Sequence, residues 1–323
     1  MHQRTRIAVL RGGPSEEYVV SLKTGESVIR AIDSERYEVI DIVISKAEEW
    51  LLRGMVREPR EILRQIDVAF LALHGAYGED GTVQRLLDST GVKYTGSRSL
   101  SSAIALNKVM TKERLESHGV RMAKHMVVGK DMLSNLSGAV ASIACLFGPR
   151  YIIKPIASGS SIGTLFAESP LMLEQALRTA LSVYDQALVE EYIEGREATC
   201  GVVEKFRDRE TYALPPIEIA RTGNVFDYES KYDGSVEEIC PGRFTFEEKQ
   251  EIERLAILAH QELGLSHYSR SDFIIGNDGI YFLEVNTLPG LTETSLLPKA
   301  LEAVGCSYEE FIEHLLTLAQ KHP

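Results

Sequence analysis

Arg270-Ser271-Asp272-Phe273-Ile274-Ile275-Gly276-Asn277-Asp278-Gly279-Ile280-Tyr281-Phe282-Leu283-Glu284-Val285-Asn286-Thr287-Leu288-Pro289-Gly290 decides how this chain is read. Two apolar runs flank an Asn-Asp-Gly turn, the pattern of a β-hairpin. Antiparallel pairing brings Asp272, at the start of one strand, to Glu284 and Asn286, at the end of the other. Residues two apart on a strand share a face, so Glu284 and Asn286 point the same way. Two carboxylates and an amide then converge as hard oxygen donors, a set suited to Mg²⁺ holding phosphates. Arg270 beside them suits an anion. An ordinary hairpin end that happens to carry acids is the plain alternative.

Composition narrows the classes. A chain of 323 residues holds two or three domains, which cluster near roughly 100–150 residues each. Its formal charge of −12 argues against a nucleic-acid partner, whose binding surface would be basic. Cys145, Cys200, Cys240 and Cys306 are scattered, with neither zinc spacing nor a disulfide framework, and read as reduced thiols. Neither a signal-peptide core nor a bilayer-length apolar run is seen, so a cytoplasmic protein without a membrane partner is expected.

Outward from the hairpin, the first hundred residues alternate strand and helix. Strands are predicted at Arg6–Leu10, Glu38–Ile44 and Asp67–Leu73, with a helix at Ser21–Ile32. Such alternation implies a parallel sheet, whose ligands gather at the carboxyl ends of its strands. Gly12-Gly13 and His74-Gly75 stand there. One helix is predicted from Leu100 to His118, stopped by Gly119. A smaller α+β unit follows, with strands at His125–Val128, Tyr151–Lys154, Gly163–Ala167 and Ala187–Tyr192 and helices at Asp131–Cys145 and Pro170–Ser182. A larger sheet is predicted from Glu197–Val203, Thr211–Ile219 and the hairpin, with helices at Phe246–Glu262 and Tyr308–Ala319. Thr222–Pro241 reads as a long loop, a length that suits a lid.

Four further groups carry chemistry. Lys154-Pro155 leads into Ser158-Gly159-Ser160-Ser161-Ile162-Gly163, where clustered N–H groups and a lysine suit phosphate, although a simple hairpin turn would look similar. It is not a Walker loop, lacking Gly-Lys-Ser/Thr and a following helix. Glu190, Glu191, Tyr192, Ile193, Glu194 and Glu197 could hold a ribose and an adenine edge, or form a solvated strand end. Gly12-Gly13-Pro14-Ser15-Glu16-Glu17 lacks dinucleotide spacing, but a glutamate there could bind an ammonium. Tyr228-Glu229-Ser230-Lys231-Tyr232 could close over a phosphate.

Taken together these strings resemble the D-alanine–D-alanine ligase family, of the ATP-grasp superfamily, over essentially the whole length. The matches are Gly12-Gly13-x-Ser15-x-Glu17, His74-Gly75-x-x-Gly78-Glu79-Asp80-Gly81-x-x-Gln84, Tyr94-Thr95-Gly96-Ser97, Asn107-Lys108-x-x-x-Lys112, Lys154-Pro155 with Gly159-Ser160-Ser161-x-Gly163, Tyr228-Glu229-x-Lys231-Tyr232, Arg270-x-Asp272, and Glu284-x-Asn286-Thr287-x-Pro289-Gly290-x-Thr292-x-x-Ser295-Leu296-x-Pro298. Tyr18-Val19-Val20-Ser21 departs from the usual Arg-x-Val-Ser, and Arg85 replaces a usual glycine.

The resemblance implies an α/β protein with α+β parts, in a three-domain ATP-grasp architecture whose N-terminal domain has a parallel sheet. Its divisions are expected at 1–98, 99–188 and 189–323. It implies ATP as co-substrate and two Mg²⁺ ions, with Mn²⁺ as a substitute, on Asp272, Glu284 and Asn286. Lys108, Lys154, Ser161 and Lys231 would bind the phosphates, and Glu190, Tyr192, Ile193 and Glu197 the adenosine. Glu17 would take the ammonium of a first D-alanine, linked through Ser160 and Tyr232 to the closing loop, with His74 ordering that subsite. Arg270 and the Gly290 N–H would form an oxyanion hole, and Ser295 with the Leu296 backbone would hold the second carboxylate. Two D-alanines would be joined for peptidoglycan precursors by a homodimeric enzyme. D-lactate or D-serine as second substrate, another carboxylate–amine ligase, or a nucleotide-binding relative without catalysis are the alternatives. Tyr232 argues against D-lactate, since that branch tends to carry histidine there.

Overall fold

A computed structural model of the chain describes residues 4–159, 162–221 and 236–321. Three sheets follow one another along it, each with its own apolar core.

The first sheet contains β1 (Thr5–Gly12), β2 (Tyr37–Ile44), β3 (Trp50–Leu52), β4 (Met55–Val56), β5 (Val68–Leu71) and β6 (Lys93–Tyr94), in the order β4-β3-β2-β1-β5-β6. The pairs β1–β2, β1–β5 and β5–β6 are parallel, while β3 and β4 extend the sheet as antiparallel strands. Helices α1 (Tyr18–Ala31), α2 (Pro59–Leu63) and α3 (Thr82–Thr90) connect its strands. Ile7, Ala8, Val9 and Leu10 are all fully buried, as a strand covered on both faces requires. The two departures in the first unit stay clear of this core. Val19, Val20 and Arg85 are exposed, whereas Ser21 is buried, accepting from the Gly12 N–H and donating to the Ala72 carbonyl.

The single helix predicted from Leu100 to His118 is two, α4 (Ser99–Leu106) and α5 (Lys108–Glu116). Asn107 breaks it with extended backbone, and its side chain accepts from the N–H groups of Val109 and Met110. The Lys108 N–H instead donates to the Ile156 carbonyl at 2.9 Å, so the break is imposed by a distant segment. The second sheet is wholly antiparallel, in the order β7-β10-β8-β9. It is built from β7 (His125–Gly129), β8 (Tyr151–Pro155), β9 (Leu165–Ala167) and β10 (Gln186–Glu191), with α6 (Leu136–Phe147) and α7 (Pro170–Val183) beside it. A 3₁₀ turn at Lys130–Asn135 replaces the first turns of the helix predicted from Asp131. In α7 the Ser169 hydroxyl caps the start, Pro170 follows, and Leu173, Leu177, Ala180 and Leu181 are buried at helical spacing.

The third sheet takes β11 (Arg196–Phe206), β12 (Arg209–Ala213), β13 (Ile217–Arg221), β14 (Val236–Ile239), β15 (Tyr268–Gly276) and β16 (Gly279–Asn286). The strand predicted across Thr211–Ile219 is therefore two, because Pro215 and Pro216 supply no backbone donor. Part of the predicted long loop is also strand, with β14 pairing against β13. Residues 222–235 of that loop lie outside the described residues. Helix α8 (Phe246–Glu262) covers one face of this sheet, and α9 (Leu296–Ala303) and α10 (Tyr308–Lys321) close the chain. Phe311, Ile312, Leu315 and Leu316 of α10 join the first sheet's core, tying the C-terminus to the N-terminal unit.

A capping box starts α8, with the Thr245 hydroxyl accepting from the Glu248 N–H and Glu248 accepting from the Thr245 N–H. Thr245→Ala should therefore cost about 1 kcal/mol, read as a lower urea midpoint with an unchanged slope. No shift in midpoint would mean the cap is replaced by solvent.

Candidate active site

In the hairpin the register places Asp272 opposite Glu284 and Arg270 opposite Asn286, with an irregularity after Asp272. The turn is the two residues Asn277 and Asp278, because Gly276 pairs with Gly279. Asp272 lies mid-strand rather than at a strand start, since β15 begins at Tyr268. Two carboxylates directly opposite would repel, and each has a cation. Arg270 donates to both Asp272 oxygens at 3.0 Å, from Nε and Nη2, while Lys108 Nζ lies 3.0 Å from Glu284 Oε2. Asp272 also accepts from the Thr199 hydroxyl and, at 3.3 Å, from Asn286 Nδ2, leaving the Asn286 amide oxygen as an acceptor. Thr199, opposite Asp272, shares its strand face with Glu197.

Among the described residues no group of three or more His, Cys, Asp or Glu is placed to hold a metal. The donor set here is two carboxylates and an amide oxygen, which fits a hard, oxygen-seeking divalent ion once Arg270 and Lys108 exchange their present partners.

Lys108 reaches this point because of the break before α5. Its Nζ also donates to the Ser158 carbonyl at 2.7 Å, pinning the Gly/Ser-rich segment against the hairpin. Lys154 and Glu190, on adjacent strands of the second sheet, meet at 2.6 Å. The other Glu190 oxygen lies 2.7 Å from Lys112 Nζ, an ion contact without good hydrogen-bond alignment. Glu190 is 3% exposed and Lys112 1%. Burial alone would raise the Glu190 pKa, but Lys154 and Lys112 overcome it and hold the carboxyl at about 2. Burial in turn lowers the Lys112 pKa, against the pull of Glu190. Lys112 stood in a matched string without an assigned role, although its i, i+4 spacing from Lys108 places both on one helix face.

Tyr192 and Ile193 lie in the link between β10 and β11. The Tyr192 ring takes the Arg150 guanidinium at 4.6 Å and the Phe166 ring edge-on at 5.4 Å. Backbone in this link is where an adenine edge could be read.

At the carboxyl edge of the first sheet, a Cβ on Gly75 would stand 3.1 Å from Glu17 Oε2, and one on Gly159 3.0 Å. Glu17 thus sits between the two glycines, from the first and second units, and any larger residue at either would crowd its carboxylate. His74 is 4% exposed and spends both ring nitrogens internally. Nδ1 lies 2.8 Å from the Leu288 carbonyl, which can only accept, so Nδ1 carries the proton and Nε2 accepts from the Thr24 hydroxyl at 2.8 Å. The ring therefore orders its surroundings and offers a ligand no nitrogen. Ser295 precedes α9, and its Oγ accepts from the Thr292 N–H at 3.1 Å. A Cβ on Gly290 would come 2.9 Å from that oxygen, so the backbone needs glycine to approach it. The first N–H groups of α9, including that of Leu296, have no intrahelical partner and suit a carboxylate. Ser160, Ser161, Lys231 and Tyr232 lie outside the described residues.

A cavity of about 430 Å³ lies at the β6 edge, among Asp88, Lys93, Tyr94, Arg98 and His267. It contains none of the residues above, and its Tyr94 and Arg98 both engage Asp88.

Against known families, residues 6–62 and 53–97 match the model for the D-ala D-ala ligase N-terminus, and 114–317 that for its C-terminus. The chain belongs to the D-alanine–D-alanine ligase family. It is an ATP-dependent ligase with the ATP-grasp fold. The D-alanine–D-alanine ligase of Geobacter sulfurreducens is 40% identical over 319 residues, covering 98% of this chain and 94% of that one. That of Desulforudis audaxviator is 37% identical, covering 98% and 99%. A Bacillus anthracis D-alanine–D-alanine ligase complexed with ATP superimposes with a TM-score of 0.78 at 30% identity, over 98% of this chain and 97% of that one. The VanG D-Ala:D-Ser ligase of Enterococcus faecalis gives 0.85 at 28% identity, over 98% and 100%.

Proposed function

We propose that this chain joins two D-alanine molecules into D-alanyl-D-alanine for peptidoglycan precursors, converting ATP to ADP and phosphate. The observation that carries this reading is the opposed pair Asp272 and Glu284, each held by a cation that can pass to a phosphate. The first D-alanine binds through its ammonium at Glu17, and its carboxylate attacks the γ-phosphorus to give an acyl phosphate. The amine of the second then attacks the acyl carbon, and phosphate leaves from the tetrahedral intermediate. Such transfers depend on positioning and charge neutralisation more than on covalent help from the protein.

Asp272, Glu284 and Asn286 would hold Mg²⁺, or Mn²⁺ in its place, which when bound neutralises phosphate charge. Lys108 and Lys154, with Ser161 and Lys231, would then hold phosphate oxygens. Glu197, Tyr192 and Ile193 would flank the adenosine, with Glu190 behind Lys154. Arg270 and the Gly290 N–H stabilise the tetrahedral oxyanion. Ser295 and the Leu296 N–H take the second carboxylate, and Ser160 with Tyr232 completes the first subsite.

A division into units at 1–98, 99–188 and 189–323 belongs to the same reading. Its second boundary falls within β10, all of which lies in the second sheet, which favours a junction in the link at 192–195. We also propose a homodimer working in the cytoplasm. Among the described residues no helix is long and apolar enough to cross a membrane.

Mass spectrometry of the products from ATP with equimolar D-alanine, D-serine and D-lactate tests the choice of substrate. D-alanyl-D-alanine should dominate at neutral pH. Mostly depsipeptide or D-alanyl-D-serine would reassign the second subsite, and no product with any D-amino acid would sink the ligase reading.

A further inference from the structure

The Glu79 carboxylate is 6% exposed, with Arg270 in electrostatic reach but no salt bridge to it. Burying an ionised carboxylate without a cation is costly unless hydrogen bonds replace the lost water. Four donors do so here. Oε1 accepts from the Gly75 N–H at 2.9 Å, and Oε2 from the Thr287 N–H at 2.9 Å, the Thr287 hydroxyl at 3.1 Å and the Leu288 N–H at 3.0 Å. The Glu79 N–H also returns to the Gly75 carbonyl at 2.8 Å, so the turn that carries the carboxylate is itself closed.

Its two oxygens therefore hold different parts of the molecule. Gly75 lies beside Glu17, whose Oε2 a Cβ there would meet at 3.1 Å, while Leu288 stands two residues before Gly290. His74 completes the arrangement from the same turn, donating to the Leu288 carbonyl, so both backbone groups of Leu288 are fixed by consecutive parts of one loop. The Leu288 side chain is buried against Gly96, where a Cβ would meet it at 2.9 Å, which removes the remaining freedom.

We infer that Glu79 is a positioning residue: its carboxylate fixes the distance between the Glu17 end of the D-alanine site and the Gly290 end. This rests on the ligase reading above. Attack of one amino acid on the other needs reacting atoms within a few tenths of an ångström of the productive arrangement, and the two ends belong to separate sheets. A neutral amide could not serve equally, because glutamine has one acceptor oxygen for donors that approach from both sides.

The experiment compares wild-type protein with Glu79→Gln and with Thr287→Val, which removes one donor while keeping the side chain's shape. Dipeptide synthesis gives kcat and KM, titration with a non-hydrolysable ATP analogue gives nucleotide affinity, and hydrogen exchange reads the Thr287 and Leu288 amides. For Glu79→Gln we expect kcat to fall about 100-fold, the scale of a 1 Å misplacement. Nucleotide affinity should be unchanged, and the two amides should exchange faster while the β15–β16 amides do not. Thr287→Val should show the same pattern more weakly, and decides the matter if Glu79→Gln does not fold. Faster exchange with wild-type kcat would reduce Glu79 to a structural tie and overturn the inference. Unchanged exchange would overturn it too. If the wild-type protein itself made no dipeptide, the ligase reading would fail and the positioning role with it, while the exchange result would still report on the tie.

Discussion

Glu284→Gln and Asp272→Asn should each abolish turnover while leaving the protein folded. Both residues are about a fifth to a quarter exposed, and each change keeps the side chain's size while removing the charge. The sheet does not depend on them, since it is held by backbone pairing along β11, β15 and β16 and by Phe273 and Phe282 beneath. In Glu284→Gln, Lys108 keeps its bond to the Ser158 carbonyl, so the loop it pins stays in place. What is lost is an anionic oxygen where a divalent ion would neutralise phosphate charge. ADP release at ordinary Mg²⁺ concentration, alongside a thermal melt, checks this. Near-wild-type ADP release from either variant would remove the metal assignment.

Glu190→Gln should give the largest loss of stability among these changes. It leaves Lys112 and Lys154, both almost fully buried, facing a neutral group, and breaking such a buried arrangement costs roughly 3–5 kcal/mol. The pH dependence has a definite sign. Because the folded pKa of Glu190 is depressed to about 2, its contribution is fully present above the ordinary carboxyl range near 4.5 and is lost as pH falls toward 2. The stability gap between wild type and variant, from urea denaturation, should be widest at neutral pH and close through that window. A gap that widened on acidification would mean that the lysines, not the carboxylate, govern the site.

These two cases divide what was legible in the sequence from what was not. Two apolar runs about Asn-Asp-Gly marked the hairpin, so the meeting of Asp272 with Glu284 could be read directly, although the turn is only Asn277 and Asp278 and Asp272 lies mid-strand. Helix α8 was bounded correctly at both ends because Thr245 and Glu248 announce its start and the apolar spacing carries it through. The break at Asn107 was not visible, since good helix formers flank it and its cause is the Ile156 carbonyl nearly fifty residues away. The division of Thr211–Ile219 was legible in Pro215-Pro216 and was passed over. Glu190 was read as a nucleotide contact, but its place 2.6 Å from Lys154 and 2.7 Å from Lys112 was not read. Only the pairing of β8 with β10 and the packing of α5 bring those three charges together. Glu79 and Lys112 stood in the matched strings without a role for the same reason: their partners are set by tertiary contacts.

The central claim is that phosphate is transferred to a D-alanine carboxylate before the peptide bond forms. It is tested most directly by running the reaction with D-alanine whose carboxyl oxygens carry a heavy isotope, then measuring the isotope in the released phosphate. An acyl phosphate requires the bridging oxygen to leave with phosphorus, so each phosphate should carry one labelled oxygen and each turnover should release one ADP. Phosphate free of label, or AMP in place of ADP, would contradict the account.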